Sequence, residues 1–292
     1  MVPEPDIRSL TAAIVDVFPE HAASRFTAFS SGWDSIAIDV DDRLVFKFPR
    51  NEEARQRLAV EARLLAVIRP AVSMPVPDLT LHRGSLLFSR HVKLPGEHLV
   101  TAQYEALPEE SRRHLAADLA LFYAELHGLA AGDMAAAGAR SIKPWLQPAD
   151  ILRRAWPLLD VGLRRHANRT IAGWQALAPD PYGTTYGFFD GHGWNMAFDH
   201  ARGRLNGMYD FGDSGFGALH QEFIYSNMIA RDLTARIVAA YETLTGRRLD
   251  RQRIELLYGV LRLSELAELA DDLRHVAAAV RNVADCAAQH PA

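Results

Sequence analysis

The segment Phe188–Gly217, FFDGHGWNMAFDHARGRLNGMYDFGDSGFG, constrains this chain more than any other stretch. It sets an acidic residue, Asp190, five positions before an amide, Asn195, and follows them with Asp210-Phe211-Gly212-Asp213. Between the two halves, Met196–Asp199 and Leu205–Tyr209 read as short strands joined by a turn around Ala201–Gly203. Such a hairpin brings Asn195 and Asp210 to one edge of a small sheet, with Asp190 on the loop entering it. An amide oxygen and a carboxylate are hard ligands of the kind that hold Mg2+ against phosphate oxygens. A carboxylate that accepts the proton of an attacking hydroxyl completes the set needed for phosphoryl transfer.

Asp190, His192 and Asn195, followed by Asp210-Phe211-Gly212-Asp213, resemble the aminoglycoside phosphotransferase family of kinase-like enzymes. Its pattern is H-G-D-x-H-x-x-N, then I-D-F-G-D or I-D-W. The spacing within each motif agrees. Three positions depart: Phe188-Phe189 stands for His-Gly, Gly217-Ala218-Leu219 for the later Gly-Asp-Pro, and Glu222 for an Asp.

The resemblance implies an α+β, two-lobed protein-kinase-like fold, with an N-terminal antiparallel sheet and a larger, mainly helical C-terminal part. The expected boundaries are 1–92 for the nucleotide-binding lobe, 93–97 for a hinge and 98–292 for the helical lobe. It implies Asp190 as catalytic base, Asn195 and Asp210 as Mg2+ ligands, and ATP or GTP as donor. Lys47 would contact the α- and β-phosphates while paired with Glu61. Ser31 and Gly32 would lie over the phosphates. The base would rest against backbone around His91, Val92 and Leu94, with Phe88 behind it. Asp213 and Glu222 are candidates for the acceptor side.

The residues also carry independent readings. Lys47 lies in Val45-Phe46-Lys47-Phe48-Pro49, where an unpaired buried charge would be costly, although strand alternation can also turn it to solvent. Ser30-Ser31-Gly32-Trp33-Asp34 lets backbone N–H groups approach an anion, or is a plain hairpin turn. Glu265, Glu268 and Asp272 fall at i, i+3 and i+7 of a helical stretch. They form either a solvated face or a lining for the amines of a cationic sugar.

Helical spacing marks Ile7–Phe18, Glu52–Ile68, Ala102–Leu107, Pro108–Leu129, Pro148–Leu159, Gly162–Leu177, Leu219–Leu244 and Arg251–Ala288, the last with a break near His275. Arg25–Phe29, Ser35–Val40, Leu44–Phe48, Leu79–His82 and Ser85–Val92 read as strands, and Ala130–Ala139 as a small-residue loop.

Composition excludes several classes. One cysteine, Cys286, allows no disulfide framework and no thiolate zinc site. A net charge of −4 without a basic block argues against nucleic acid as partner. No apolar run reaches spanning length and no signal-peptide layout opens the chain, so the expectation is a cytoplasmic protein with no membrane partner. There is no G-x-x-x-x-G-K-[ST], which excludes a P-loop NTPase.

Three functions compete: a small-molecule kinase with aminoglycosides among its acceptors, a kinase of an endogenous hydroxyl metabolite, and an inactive nucleotide-binding relative. The partners expected are a nucleoside triphosphate and a small hydroxyl-bearing substrate.

Overall fold

Strand alternation and one amphipathic helix build the first half of the protein. The structure is a computed structural model describing residues 6–29 and 35–289. The expected Ser31 and Gly32 contacts lie outside the described residues. Helix α1 (Ile7–Val17) is capped by Asp6, whose side chain accepts from Ser9 N, and buries Leu10, Ala13 and Ile14. Strands β1 (Phe26–Phe29), β2 (Ser35–Val40) and β3 (Leu44–Pro49) follow, then α2 (Glu52–Ile68), β4 (Thr80–Arg83) and β5 (Leu87–Val92). They form one antiparallel sheet in the order β1-β2-β3-β5-β4.

The two faces of that sheet differ in chemistry. Phe46, Phe48 and Phe88 join Leu10, Ala13 and Ile14 in one apolar cluster against α1. Lys47 pairs across β3 and β5 with Ser89, so Lys47, Ser89 and His91 share the opposite face. This corrects the expected place of Phe88. It is wholly buried against Phe48, at 5.1 Å between ring centroids, on the reverse of the sheet from Lys47. The residue at that depth on the Lys47 face is Ser89.

Helix α2 is capped by Asn51, which accepts from Ala54 N at 2.8 Å. Its buried row is Ala54, Leu58, Glu61, Leu64, Leu65 and Ile68, with Glu61 the one charge among apolar side chains. Beyond β5 the chain turns helical: α3 (Thr101–Glu105), α4 (Glu109–His127), α5 (Ala131–Ala137), α6 (Pro148–Ala155) and α7 (Val161–Gln175). The stretch expected as a loop at 130–139 is therefore mostly helix; its alanines favour helix over coil.

Four short strands then carry the organising segment. β6 (Thr184–Gly187) pairs with β9 (Gly215–Ala218), and β7 (Met196–Asp199) pairs with β8 (Arg204–Met208). The β7–β8 hairpin is the one expected. The β6–β9 pair had no sequence signal, because five of its eight residues are glycine or threonine and each strand is only four residues long.

Residues Leu219–Met228 are a 3-10 segment before α8 (Arg231–Thr245), where one continuous helix was expected. The tighter turn accommodates His220, Glu222, Phe223, Ser226 and Asn227, all turned inward. The last helices, α9 (Arg251–Glu268) and α10 (Val276–Ala288), are separated near His275 as expected. Among the described residues no helix is long and apolar enough to cross a membrane.

Candidate active site

Lys47 is the first member of the site, and its charge is held by two carboxylates. Its Nζ lies 3.6 Å from Glu61 Oε1 and 3.2 Å from Asp210 Oδ1. Glu61 Oε1 also accepts from Phe211 N at 3.1 Å, so α2 is tied to the segment that presents Asp210. Burial works against the Lys47 charge, but Asp210 and Glu61 outweigh it and raise its pKa. The Lys47 charge lowers the Asp210 pKa against partial desolvation of that carboxylate, whereas burial raises that of Glu61. Asp210 stays ionised, and its side chain is 57% exposed, so a cation can reach it. Its backbone sits at φ 62°, a left-handed conformation that Asp tolerates better than most residues.

Asp190 and Asn195 form the second half. Asn195 Nδ2 donates to Asp190 Oδ2 at 2.6 Å and to the Asp190 carbonyl at 3.0 Å. That leaves the Asn195 Oδ1 for a cation. No group of three or more His, Cys, Asp or Glu among the described residues could hold a metal alone. An Asn oxygen with one carboxylate and phosphate oxygens is, however, a donor set that fits Mg2+.

The loop bearing Asp190 is fixed from behind. Glu222 Oε2 accepts from Phe188 N and Oε1 from Phe189 N, each at 2.8 Å, and His127 Nε2 lies 3.3 Å from Oε2. Glu222 is 0% exposed. The acceptor role expected for it is thus replaced by a bracing one, since no substrate reaches an enclosed carboxylate already holding two backbone N–H groups. Gly193 makes a second contact. Its carbonyl accepts from Leu99 N at 3.0 Å, and an added Cβ would run into the Leu99 carbonyl. Gly193→Ala is expected to displace the Asp190–Asn195 loop and lower turnover by ~10²-fold or more, since misplacement by about 1 Å costs that much. Turnover measured beside the thermal midpoint checks this; a variant with wild-type turnover contradicts it.

His192 contacts the same carboxylate, its Nε2 3.2 Å from Asp190 Oδ1. Burial opposes its charge, but the hydrogen bond and charge of Asp190, with Asp210, raise its pKa above the ordinary 6.5. Protonated His192 therefore occupies Oδ1. This pairing contributes stability in full below pH 6.5 and loses it as pH rises through the raised pKa. The same deprotonation weakens the hold on Oδ1, so activity is expected to rise across that window. His192→Gln should move the acid limb of the kcat/KM profile to lower pH. An unmoved limb contradicts the assignment.

Two cavities meet at Asp190. One, of about 680 Å³, is lined by Lys47, Glu61, Asn195, Asp210, Trp194 and Arg57 among others. The other, of about 190 Å³, is lined by Trp145, Phe189, Tyr225, Ser264, Glu265 and Glu268 among others. Asp190 and Asp213 line both. Glu265 pairs with Arg262 at 2.8 Å, and Glu268 with Lys143 at 3.1 Å. Asp272 lines neither cavity. Helix α9 ends at Glu268, so the i+7 spacing no longer applies; Asp272 instead bonds His275 Nδ1 at 2.8 Å and Arg274 N at 2.9 Å.

Near β5, His91 is buried and its Nδ1 donates to the Val92 carbonyl at 2.9 Å; burial lowers its pKa to about 4, so the ring is neutral. The Leu94 carbonyl accepts from Tyr209 OH at 2.7 Å. Lys93 is paired with Asp39 at 2.6 Å and Asp42 at 2.5 Å. Sequence reasoning missed Trp194, an exposed ring stacked on His98 at 4.1 Å, and the lining residues Trp145, Tyr225 and Ser264. Trp194 stands inside the Asp190–Asn195 motif at one of its variable positions, and Trp145, Tyr225 and Ser264 stand in no motif; tertiary packing brings those three to the smaller cavity.

Solved structures resemble this chain over nearly its whole length. The GDP complex of wild-type aminoglycoside 2'-phosphotransferase-IIIa matches with a TM-score of 0.85 at 20% identity, covering 98% of this chain and 100% of that one. The GDP and kanamycin complex of an APH(2") enzyme of type IIIa matches at 0.80 and 20%, over 97% and 99%. The macrolide 2'-phosphotransferase apoenzyme from Brachybacterium faecium matches at 0.64 and 18%, over 94% and 97%. At these identities the likeness shows the fold, the two-lobed kinase-like arrangement expected from the sequence. The sequence model of one family spans residues 25–257, which takes in Lys47, Glu61, Asp190, Asn195 and Asp210, and by that match the chain belongs to the phosphotransferase enzyme family.

Proposed function

We propose that this protein transfers the γ-phosphoryl group of ATP or GTP, with Mg2+, to a hydroxyl of a small ammonium-bearing molecule. The observation that carries the reading is the position of Asp190, which opens on both cavities. The larger one has the groups that suit a nucleotide, and the smaller one suits an acceptor. Relatives of this fold solved with GDP, and with GDP and kanamycin, support a nucleotide donor and a hydroxyl-bearing acceptor.

In this reading Asp190 Oδ1 accepts the hydroxyl proton while the hydroxyl oxygen attacks the γ-phosphorus, the bond from that phosphorus to the β–γ bridging oxygen breaks, and the nucleoside diphosphate leaves with the bond's electron pair. Lys47, held by Glu61, steadies the α- and β-phosphates. Asn195 Oδ1 and Asp210 would hold Mg2+, and the chemistry it would supply there is neutralisation of phosphate charge. Positioning and fixed charge supply most of the rate. We assign residues 1–92 to the nucleotide side, 93–97 to the connection and 98–292 to the catalytic and acceptor side, with Asp213 facing the acceptor.

The acceptor's charge follows from the lining. Asp190, Asp213, Glu265 and Glu268 line the smaller cavity, with Lys143 the one cation among its described lining residues. Counting Arg262, which pairs with Glu265, and Lys143, which pairs with Glu268, the carboxylates still outnumber these two cations, which favours a cationic acceptor. A compact endogenous metabolite is the second reading, favoured by the cavity's small volume.

The test is phosphate transfer from ATP and GTP, with Mg2+, across aminoglycosides, uncharged sugars and simple amino alcohols. Transfer confined to ammonium-bearing acceptors is expected. Equal transfer to uncharged sugars contradicts the electrostatic argument, and nucleotide binding without any transfer contradicts the enzyme reading.

A further inference from the structure

Phe189 stands immediately before the catalytic carboxylate, and its backbone is in the left-handed region at φ 53°. A bulky residue rarely adopts that conformation, and such outliers gather at sites where the surroundings enforce them. Here the surroundings are specific. Glu222 fixes the Phe189 N–H at 2.8 Å. Two glycines clear space for the ring: a Cβ on Gly217 would lie 2.6 Å from Phe189 Cζ, and one on Gly187 would lie 2.9 Å from Phe189 Cε2. The ring is 2% exposed, yet it lines the smaller cavity next to Asp190, with Trp145, Tyr225 and Glu268. A strained backbone, a built slot and a cavity wall thus coincide in one side chain.

That cavity has a volume of about 190 Å³. Pockets that enclose drug-sized ligands start at roughly 300 Å³. The space beside Asp190 therefore suits one ring or a short chain.

We propose that the Phe189 ring is a specificity-determining group that limits the acceptor to a compact amino alcohol, one ring or smaller, by closing the pocket beside Asp190. The proposal rests on the phosphotransfer reading for its chemistry, but the size limit itself is read from binding as well as turnover. Phe189→Gly relieves the left-handed backbone and opens the wall. Phe189→Leu keeps apolar volume while removing the ring's reach.

The experiment measures kcat/KM, and acceptor binding by calorimetry with ADP and Mg2+ present, for 2-aminoethanol, glucosamine, neamine and kanamycin. Wild type, Phe189→Gly and Phe189→Leu are compared, with thermal midpoints checking that each is folded. Wild type is expected to favour the one-ring and smaller acceptors by at least ~10-fold over the three-ring one, a typical ratio for a steric pocket. Phe189→Gly should shrink that ratio by at least ~10-fold, with Phe189→Leu between them. Wild-type preference for kanamycin, or a ratio unchanged in both folded variants, overturns the proposal. Turnover with an unchanged ratio leaves phosphotransfer standing and removes the size limit. Size-graded binding without turnover does the reverse, and binding without size grading removes the limit whatever the turnover.

Discussion

Asp190→Asn is expected to lower turnover by ~10²–10⁴-fold, the usual contribution of a positioned general base, with nucleotide affinity unchanged. The substitution keeps the shape of the side chain and removes the site that takes the hydroxyl proton. Asp190 lies with Asn195 at 2.6 Å and His192 at 3.2 Å, whereas the Lys47 pairs are to Glu61 and Asp210. The Lys47–Glu61 pair assigned to the phosphates is therefore not touched, and Asn195, the one metal-holding group in contact with Asp190, keeps an acceptor in the carboxamide oxygen of the variant. Steady-state kinetics with a titration of Mg-nucleotide binding separates the two effects. An equal loss of nucleotide affinity would place Asp190 among the metal or phosphate ligands instead.

Glu222→Ala is expected to destabilise the protein by ~3–5 kcal/mol, the range for breaking a buried charged network from one side. Three groups lose their partner at once: Phe188 N, Phe189 N and His127 Nε2. Each buried donor left unpaired costs roughly 1–3 kcal/mol. Glu222→Gln offers one carbonyl oxygen where two N–H groups need acceptors, so it should also destabilise, by less. Denaturant unfolding of both variants measures this. A loss under about 1 kcal/mol for the alanine variant would show that the loop finds other acceptors. Activity should fall with stability, because the two N–H groups lie directly before Asp190.

The chemistry was more legible in the sequence than the pocket. Asp190, Asn195, Asp210, Lys47 and Glu61 stand in spaced motifs, and the structure brings all five to one cleft. Glu61 could be read from the family resemblance, as the partner of Lys47 on the helix that follows it, and the structure sets it as the one charge in the buried row of α2. Phe88 was misplaced by one strand position, which in a pleated sheet reverses the face. Asp272 was misplaced because α9 stops at Glu268, a boundary that the periodic pattern did not mark. Glu222 looked like an acceptor group because its acidity was visible while the two N–H groups that claim it were not. The aromatic and serine lining of the smaller cavity comes from α9, the 3-10 segment and the stretch before α6. Only tertiary packing joins these three.

The most direct test of the account follows the γ-phosphorus itself by 31P NMR, with wild-type protein, Mg2+, ATP or GTP, and an amino alcohol. The account predicts that the γ resonance is replaced by that of a phosphate monoester on the acceptor, and that Asp190→Asn slows its appearance while nucleotide stays bound. A nucleotide that binds but yields only inorganic phosphate, or no product at any acceptor concentration, would contradict phosphoryl transfer to a hydroxyl as the work of this cleft.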